Sequence, residues 1–117
     1  MSEQPATDLA IRKCQPCEGG VAALSLSDAR TLMQQLDGEW QLAPDGKSIR
    51  REWKFRNFYH AMSFVNAVAH IANTEDHHPD IEAGYGYCRL KYHTHAIGGL
   101  SENDFICAAK VDAIPKQ

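Results

Sequence analysis

The stretch from Asn57 to Asp76 constrains the fold more than any other part of this chain. Phe58, Ala61, Met62, Val65, Val68, Ala69 and Ala72 recur at helical spacing and form one apolar stripe, the mark of an amphipathic helix. Asn57 is its expected N-cap, because a short amide side chain can accept a hydrogen bond from an orphan helix N–H. Pro79 must lie outside the helix, since proline disfavours the α conformation at His78 before it. His60 and His70 fall on the side away from the stripe, towards solvent.

Strand patterns flank this helix. Ser48 to Phe55 alternates, with Ile49, Trp53 and Phe55 on one face and Arg50, Glu52 and Lys54 on the other; Arg51 falls on the apolar face. Glu39 to Ala43 reads as a short partner strand across the Pro44-Asp45-Gly46 turn. Beyond the long helix, Ile81 to Tyr85 is a weak strand, Gly86 a turn, and Tyr87 to His95 a stronger strand. In that strand Cys88, Leu90, Tyr92 and Thr94 point one way, and Arg89, Lys91, His93 and His95 the other. Ser25 to Leu36 predicts an opening helix, capped by Ser25 or Ser27 and ended by Gly38. Ser101-Glu102-Asn103-Asp104 predicts a capping box that opens a last helix, with Phe105, Ala108, Ala109 and Val111 to Ile114 packing inward. The expected class is α+β: a four-stranded antiparallel sheet with helices packed on one face, in the order α-β-β-α-β-β-α.

A length of 117 residues fits one domain over 25–117, preceded by a loose arm over 1–24, partly ordered near its end, that Pro5, Pro16, Gly19 and Gly20 break up. The net charge of −3 argues against direct nucleic-acid binding, which needs a basic face. No stretch approaches the roughly 20 apolar residues of a membrane span, and the first ten residues have no apolar signal core. Four cysteines, at 14, 17, 88 and 107, do not make a disulfide framework, so a reducing, cytoplasmic setting is expected. Cys14-Gln15-Pro16-Cys17 is a single C-x-x-C: half a zinc site or a redox pair in form, read as incidental thiols because no second pair accompanies it.

The segment Glu75-Asp76-His77-His78-Pro79-Asp80 is where chemistry is expected. Adjacent histidines end the long helix, His93 and His95 stand two apart downstream, and four of the six histidines fall between 77 and 95. Histidine can give and take a proton near neutral pH. Local spacing leaves three readings open. The first is surface histidines at a helix end and a strand edge. The second is a metal site of His77, His78, His93 and His95 with an oxygen from Asp76 or Asp80. The third is metal-free acid–base catalysis.

His77-His78-Pro79, Tyr85, Thr94-His95, Gly99-Leu100-Ser101-Glu102 and Asp104 together resemble the signature of the pterin-4a-carbinolamine dehydratases, also known as dimerisation cofactors of a homeodomain transcription factor. The resemblance runs from about Leu26 to Ile114 and takes in Trp40 and the Phe55 to Phe58 approach to the long helix. It implies the fold order given above and an enzyme that removes water from a 4a-hydroxytetrahydropterin, the pterin left by aromatic amino-acid hydroxylases, to give a quinonoid dihydropterin. It implies no metal and no organic cofactor. It also implies a homodimer or homotetramer, with a protein-binding coactivator as the alternative role.

By the same resemblance, His77 and His95 are the acid and base and His78 holds and polarises the substrate. Pro79 fixes the backbone so that the adjacent rings diverge into one pocket. Asp76 is placed to bind the pterin's amidine-like edge or orient a histidine, and Thr94 to offer backbone groups to the ring. Asp104 matches the family's aspartate and is also the fourth residue of the capping box; the structural role is the first reading, compatible with site support behind His95. His93 is read as an exposed strand residue. The chain departs from the family pattern at Asn73, where some members carry a glutamate for which Glu75 is the candidate substitute. It departs again at Ile81, where animal members carry an aromatic residue, a change that bears on which pterin side chain is accepted.

Overall fold

The computed structural model describes residues 8–16 and 22–115. Its elements are α1 (Asp8–Ile11), α2 (Leu26–Met33), β1 (Gln41–Leu42), β2 (Ile49–Lys54), α3 (Phe58–Glu75), β3 (Asp80–Gly84), β4 (Tyr87–Tyr92), a single 3₁₀ turn (His95–Ile97) and α4 (Glu102–Asp112). The four strands form one antiparallel sheet in the order β1-β2-β4-β3. The α+β class and the expected element order both hold, with α1 added before them.

The register explains which face is covered. Ile49 pairs Tyr92, Arg51 pairs Leu90 and Trp53 pairs Cys88. Alternation therefore sends all six to one side, where Ile49, Cys88, Leu90 and Tyr92 are buried. Arg50, Glu52, Lys54, Arg89 and Lys91 are exposed on the other. Arg51 is accommodated on the covered side because Asp112 Oδ1 sits 2.8 Å from its guanidinium, which also stacks over Trp53. An ion pair at that depth is tolerable only because both groups keep close partners.

Asn57 caps α3 as expected, its Oδ1 accepting the His60 N–H at 2.9 Å. The buried stripe is Ala61, Phe64, Val68 and Ala72. Phe58, expected in that stripe, is instead exposed at the first turn. Phe64 takes the aromatic place, with its ring 4.7 Å from Trp53 and 5.3 Å from Phe55. Helix α2 is shorter than the sequence predicts: from Gln34 to Leu36 the amides bond three residues back, so the last turn tightens and leaves the α register. Strand β1 contracts to two residues as Trp40 turns inward and gives its indole N–H to Asp112 Oδ1 at 2.8 Å. Strand β4 stops at Tyr92, where the chain bends into the 3₁₀ turn that carries His95.

Residues 8–16, within the stretch expected to be a loose arm, are docked. Leu9 is 1% exposed and belongs to the main core. Burying a leucine side chain is worth about 1.5–3 kcal/mol. Lys110 donates to the Ala10 carbonyl at 2.8 Å, and Arg12 pairs with Glu102. The cover supplied by α1 helps explain why α4 is buried on nearly every side, from Asn103 to Val111. Cys17 lies outside the described residues.

Candidate active site

The end of α3 sets the first two histidines. Asp76 is the C-cap, in the left-handed conformation with φ 54°, and its N–H bonds the Ala72 carbonyl. The His77 N–H bonds the same carbonyl at 3.2 Å. Two amides on one acceptor close the helix and reverse the chain, so His77 turns inward while His78 stays exposed. The His77 ring then lies nearly parallel to buried Tyr92, 5° apart in plane.

A second turn sets His95. Thr94 and Gly99 form an isolated bridge, the Thr94 N–H donating to the Gly99 carbonyl at 2.8 Å. The 3₁₀ turn between them puts His95 at the surface and ends on Gly98, whose φ of 68° suits glycine. The Thr94 carbonyl receives the Gly99 and Ile97 amides. Its backbone groups are thus hydrogen-bonded within the turn.

Asp104 joins the two halves. It is fully buried. Oδ2 accepts the Ser101 N–H at 3.0 Å, the reciprocal half of the capping box, and the Thr94 hydroxyl at 2.7 Å. Oδ1 lies 2.7 Å from His77 Nε2. One carboxylate therefore caps α4 and holds the imidazole. Against an ionised carboxylate, which only accepts hydrogen bonds, Nε2 is the donating nitrogen of such a pair.

Asp76, His77, His78, Thr94 and His95 all line one cleft of about 650 Å³. Pro79 does not line it, and Asp104 stands behind its wall. His93, expected outside the site, contributes to the cleft, with Nε2 3.5 Å from Asp80 Oδ2. Among the described residues, no group of three His, Cys, Asp or Glu side chains is arranged to hold a metal ion.

One wall escaped the sequence reading. Cys14, Gln15 and Pro16 line the same cleft. The Cys14 N–H donates to Glu75 Oε1 at 2.9 Å, and Gln15 exchanges backbone-to-side-chain hydrogen bonds with Asn103. Burial pulls the Glu75 carboxyl up, but the Cys14 amide and the Lys110 charge outweigh it and hold the group below its ordinary value. The unusual Cys14-Gln15-Pro16-Cys17 run was the available signal, though nothing local tied it to residues some sixty to ninety positions away.

A sequence profile of the family described as pterin 4 alpha carbinolamine dehydratase matches residues 22–114. The chain belongs to this family. A Nitrosomonas europaea relative, provisionally named pterin-4-alpha-carbinolamine dehydratase, is 59% identical over 93% of this chain and 95% of its own length. A similarly named Legionella pneumophila protein is 50% identical over 92% and 96%. Among solved structures, a transcriptional coactivator/pterin dehydratase from Brucella melitensis superposes with a TM-score of 0.73 at 31% identity, over 78% of this chain and 96% of that one. A pterin dehydratase-like protein described as a RuBisCO assembly factor in the alpha-carboxysome shares the fold, at a TM-score of 0.56 and 21% identity over 64% and 87%. In this dehydratase-family chain, no described helix is long and apolar enough to cross a membrane.

Proposed function

We propose that this chain is a 4a-hydroxytetrahydropterin dehydratase, a hydro-lyase that gives a quinonoid dihydropterin and water. The observation that carries this reading is the His77–Asp104 contact at the wall of a cleft that His78 and His95 also line. A cleft of that size suits a bicyclic small molecule. The reaction needs a proton taken from N5 and a proton given to the hydroxyl leaving C4a. His77, held by a buried carboxylate, is the base and uses Nδ1. His95, on the exposed turn that lines the same cleft, is the acid; the C4a–O bond breaks and the electron pair from N5–H closes the new double bond. His78 and Asp76 hold the ring. Each proton transfer is typically worth about 10²–10⁴ in rate.

Recycling of the pterin for an aromatic amino-acid hydroxylase is the proposed setting, since that reaction yields the 4a-carbinolamine. Self-association belongs to the same reading. The edge strands β1 and β3 each present an unpaired side, and Ile81 and Tyr85 are exposed near the β3 edge. Light scattering on the purified chain checks it.

The test is dehydration of chemically generated 4a-hydroxytetrahydropterin, followed by ultraviolet absorbance with chelator present. Acceleration well above the spontaneous rate supports the enzyme and a metal-free mechanism. A folded protein that gives no acceleration overturns it and favours a binding role of the kind named for the Brucella structure.

A further inference from the structure

Two thiols that the dehydration does not use meet beside the cleft. Cys14 Sγ lies 3.5 Å from Cys107 Sγ, across 93 positions of sequence. Cys107 is fully buried in the middle of α4, whereas Cys14 is half-buried and faces the cleft. The Cys14 N–H is held by Glu75 and the Gln15 N–H by Asn103. We propose that Cys14 and Cys107 are a reversible oxidation site, closed to a disulfide by low-molecular-weight disulfides, which clamps the cleft wall formed by residues 14–16 onto α4.

The geometry assigns the order of events. A small disulfide reaches Cys14 through the cleft mouth. The Cys14 thiolate attacks one of its sulfurs, forms a mixed disulfide and releases one thiolate. Cys107 then gives up its proton, attacks Cys14 Sγ and expels the second thiolate. Two protein thiols are oxidised, one small disulfide is reduced to two small thiols, and both protein protons end on those thiols. The contact with Cys14 and its own burial push the Cys107 thiol up, consistent with its acting second. Closing the bond shortens the sulfur separation to about 2.05 Å, a movement of roughly the kind a side-chain rotation and a small shift of a short surface segment provide.

The consequence is structural before it is catalytic. In the reduced protein, residues 8–16 are held to the body by Leu9, by the Arg12–Glu102 ion pair and by hydrogen bonds to Glu75, Asn103 and Lys110, the kind of short surface segment that opens locally ahead of the core. A bond between positions 14 and 107 removes that opening. The effect rests on the thiols alone and is read without any assay of dehydration, so it stands or falls separately from the proposed reaction.

The experiment treats the reduced full chain with glutathione disulfide, caps remaining thiols, and maps the linked peptides by mass spectrometry. The expected product joins Cys14 to Cys107, with Cys88 still free, since its burial holds that thiol up at about 11. Amide exchange at Cys14 and Gln15 slows at least about tenfold in the linked form, as for any segment whose local opening is suppressed. Cys17→Ser keeps both results and Cys107→Ser loses both. A Cys14–Cys17 link, a stable glutathione adduct on Cys14, or unchanged exchange in the linked protein overturns the proposal.

Discussion

His77 Nε2 and Asp104 Oδ1 stand 2.7 Å apart, and the same carboxylate receives the N–H of Ser101, the N-cap of α4, and the Thr94 hydroxyl through its other oxygen. The last helix and the His77 imidazole therefore share one anchor. Anything that loosens the cap loosens His77.

Asp104→Asn separates the two duties in part. The amide keeps the size of the side chain but replaces one acceptor with a donor. Either His77 or the cap must then face the wrong group. Dehydration falls by about 10²-fold or more, and stability falls by about 1–3 kcal/mol for the mismatched buried contact. Stopped-flow absorbance reads the first and urea unfolding the second. A loss of stability alone, with full turnover per folded molecule, assigns Asp104 to the cap only.

His77→Ala and His95→Ala each lower kcat by about 10²–10⁴ and leave the circular dichroism of the fold intact. For His78, exposed on the cleft wall, the expected effect is on binding: His78→Ala raises KM more than it lowers kcat. If all three variants dehydrate at the parental rate, the histidines are not the acid and base.

Glu75 gives the docked segment a pH dependence. Its folded carboxyl titrates below its ordinary value of 4.5. The charged form is thus preferred in the docked state. The stabilisation is complete above 4.5 and is lost as pH falls through the lower, folded value. Protection of the Cys14 amide, corrected for intrinsic exchange, holds from neutral pH down to about that point and drops below it. Glu75→Gln removes the step. A wild-type profile flat to pH 3 shows that Glu75 does not govern docking.

What was legible in the sequence was local. The Asn57 cap and the Ser101–Asp104 box are written within four residues, and the paired strands within one alternation each. Arg51 on an apolar face was visible as an oddity, but its partner Asp112 lies 61 positions away. The end of β4 was misplaced for a related reason. His93 and His95 keep a period of two on paper, while the Thr94–Gly99 bridge that bends the chain depends on a pairing the period does not encode. The docking of residues 8–16 was the least legible feature. One buried leucine in an aperiodic stretch and polar contacts to Glu75, Glu102, Asn103 and Lys110 carry it, and all of these partners are distant in sequence.

Asp76 offers the last test, because its backbone and side chain pull in different directions. Among the described residues it is the only one other than glycine with positive φ. A left-handed residue with a Cβ costs about 1–2 kcal/mol relative to glycine, somewhat less for aspartate. Asp76→Gly should therefore raise stability by up to about 1 kcal/mol, seen as a higher urea midpoint at unchanged slope. The same change removes a carboxylate from the cleft. If that carboxylate holds the pterin's amidine-like edge, KM rises about tenfold as a charge-assisted hydrogen bond is lost. Asp76→Asn, which tolerates the same backbone but carries no charge, should raise KM without the gain in stability. Unchanged KM in both variants leaves Asp76 as a helix terminator that only happens to border the cleft.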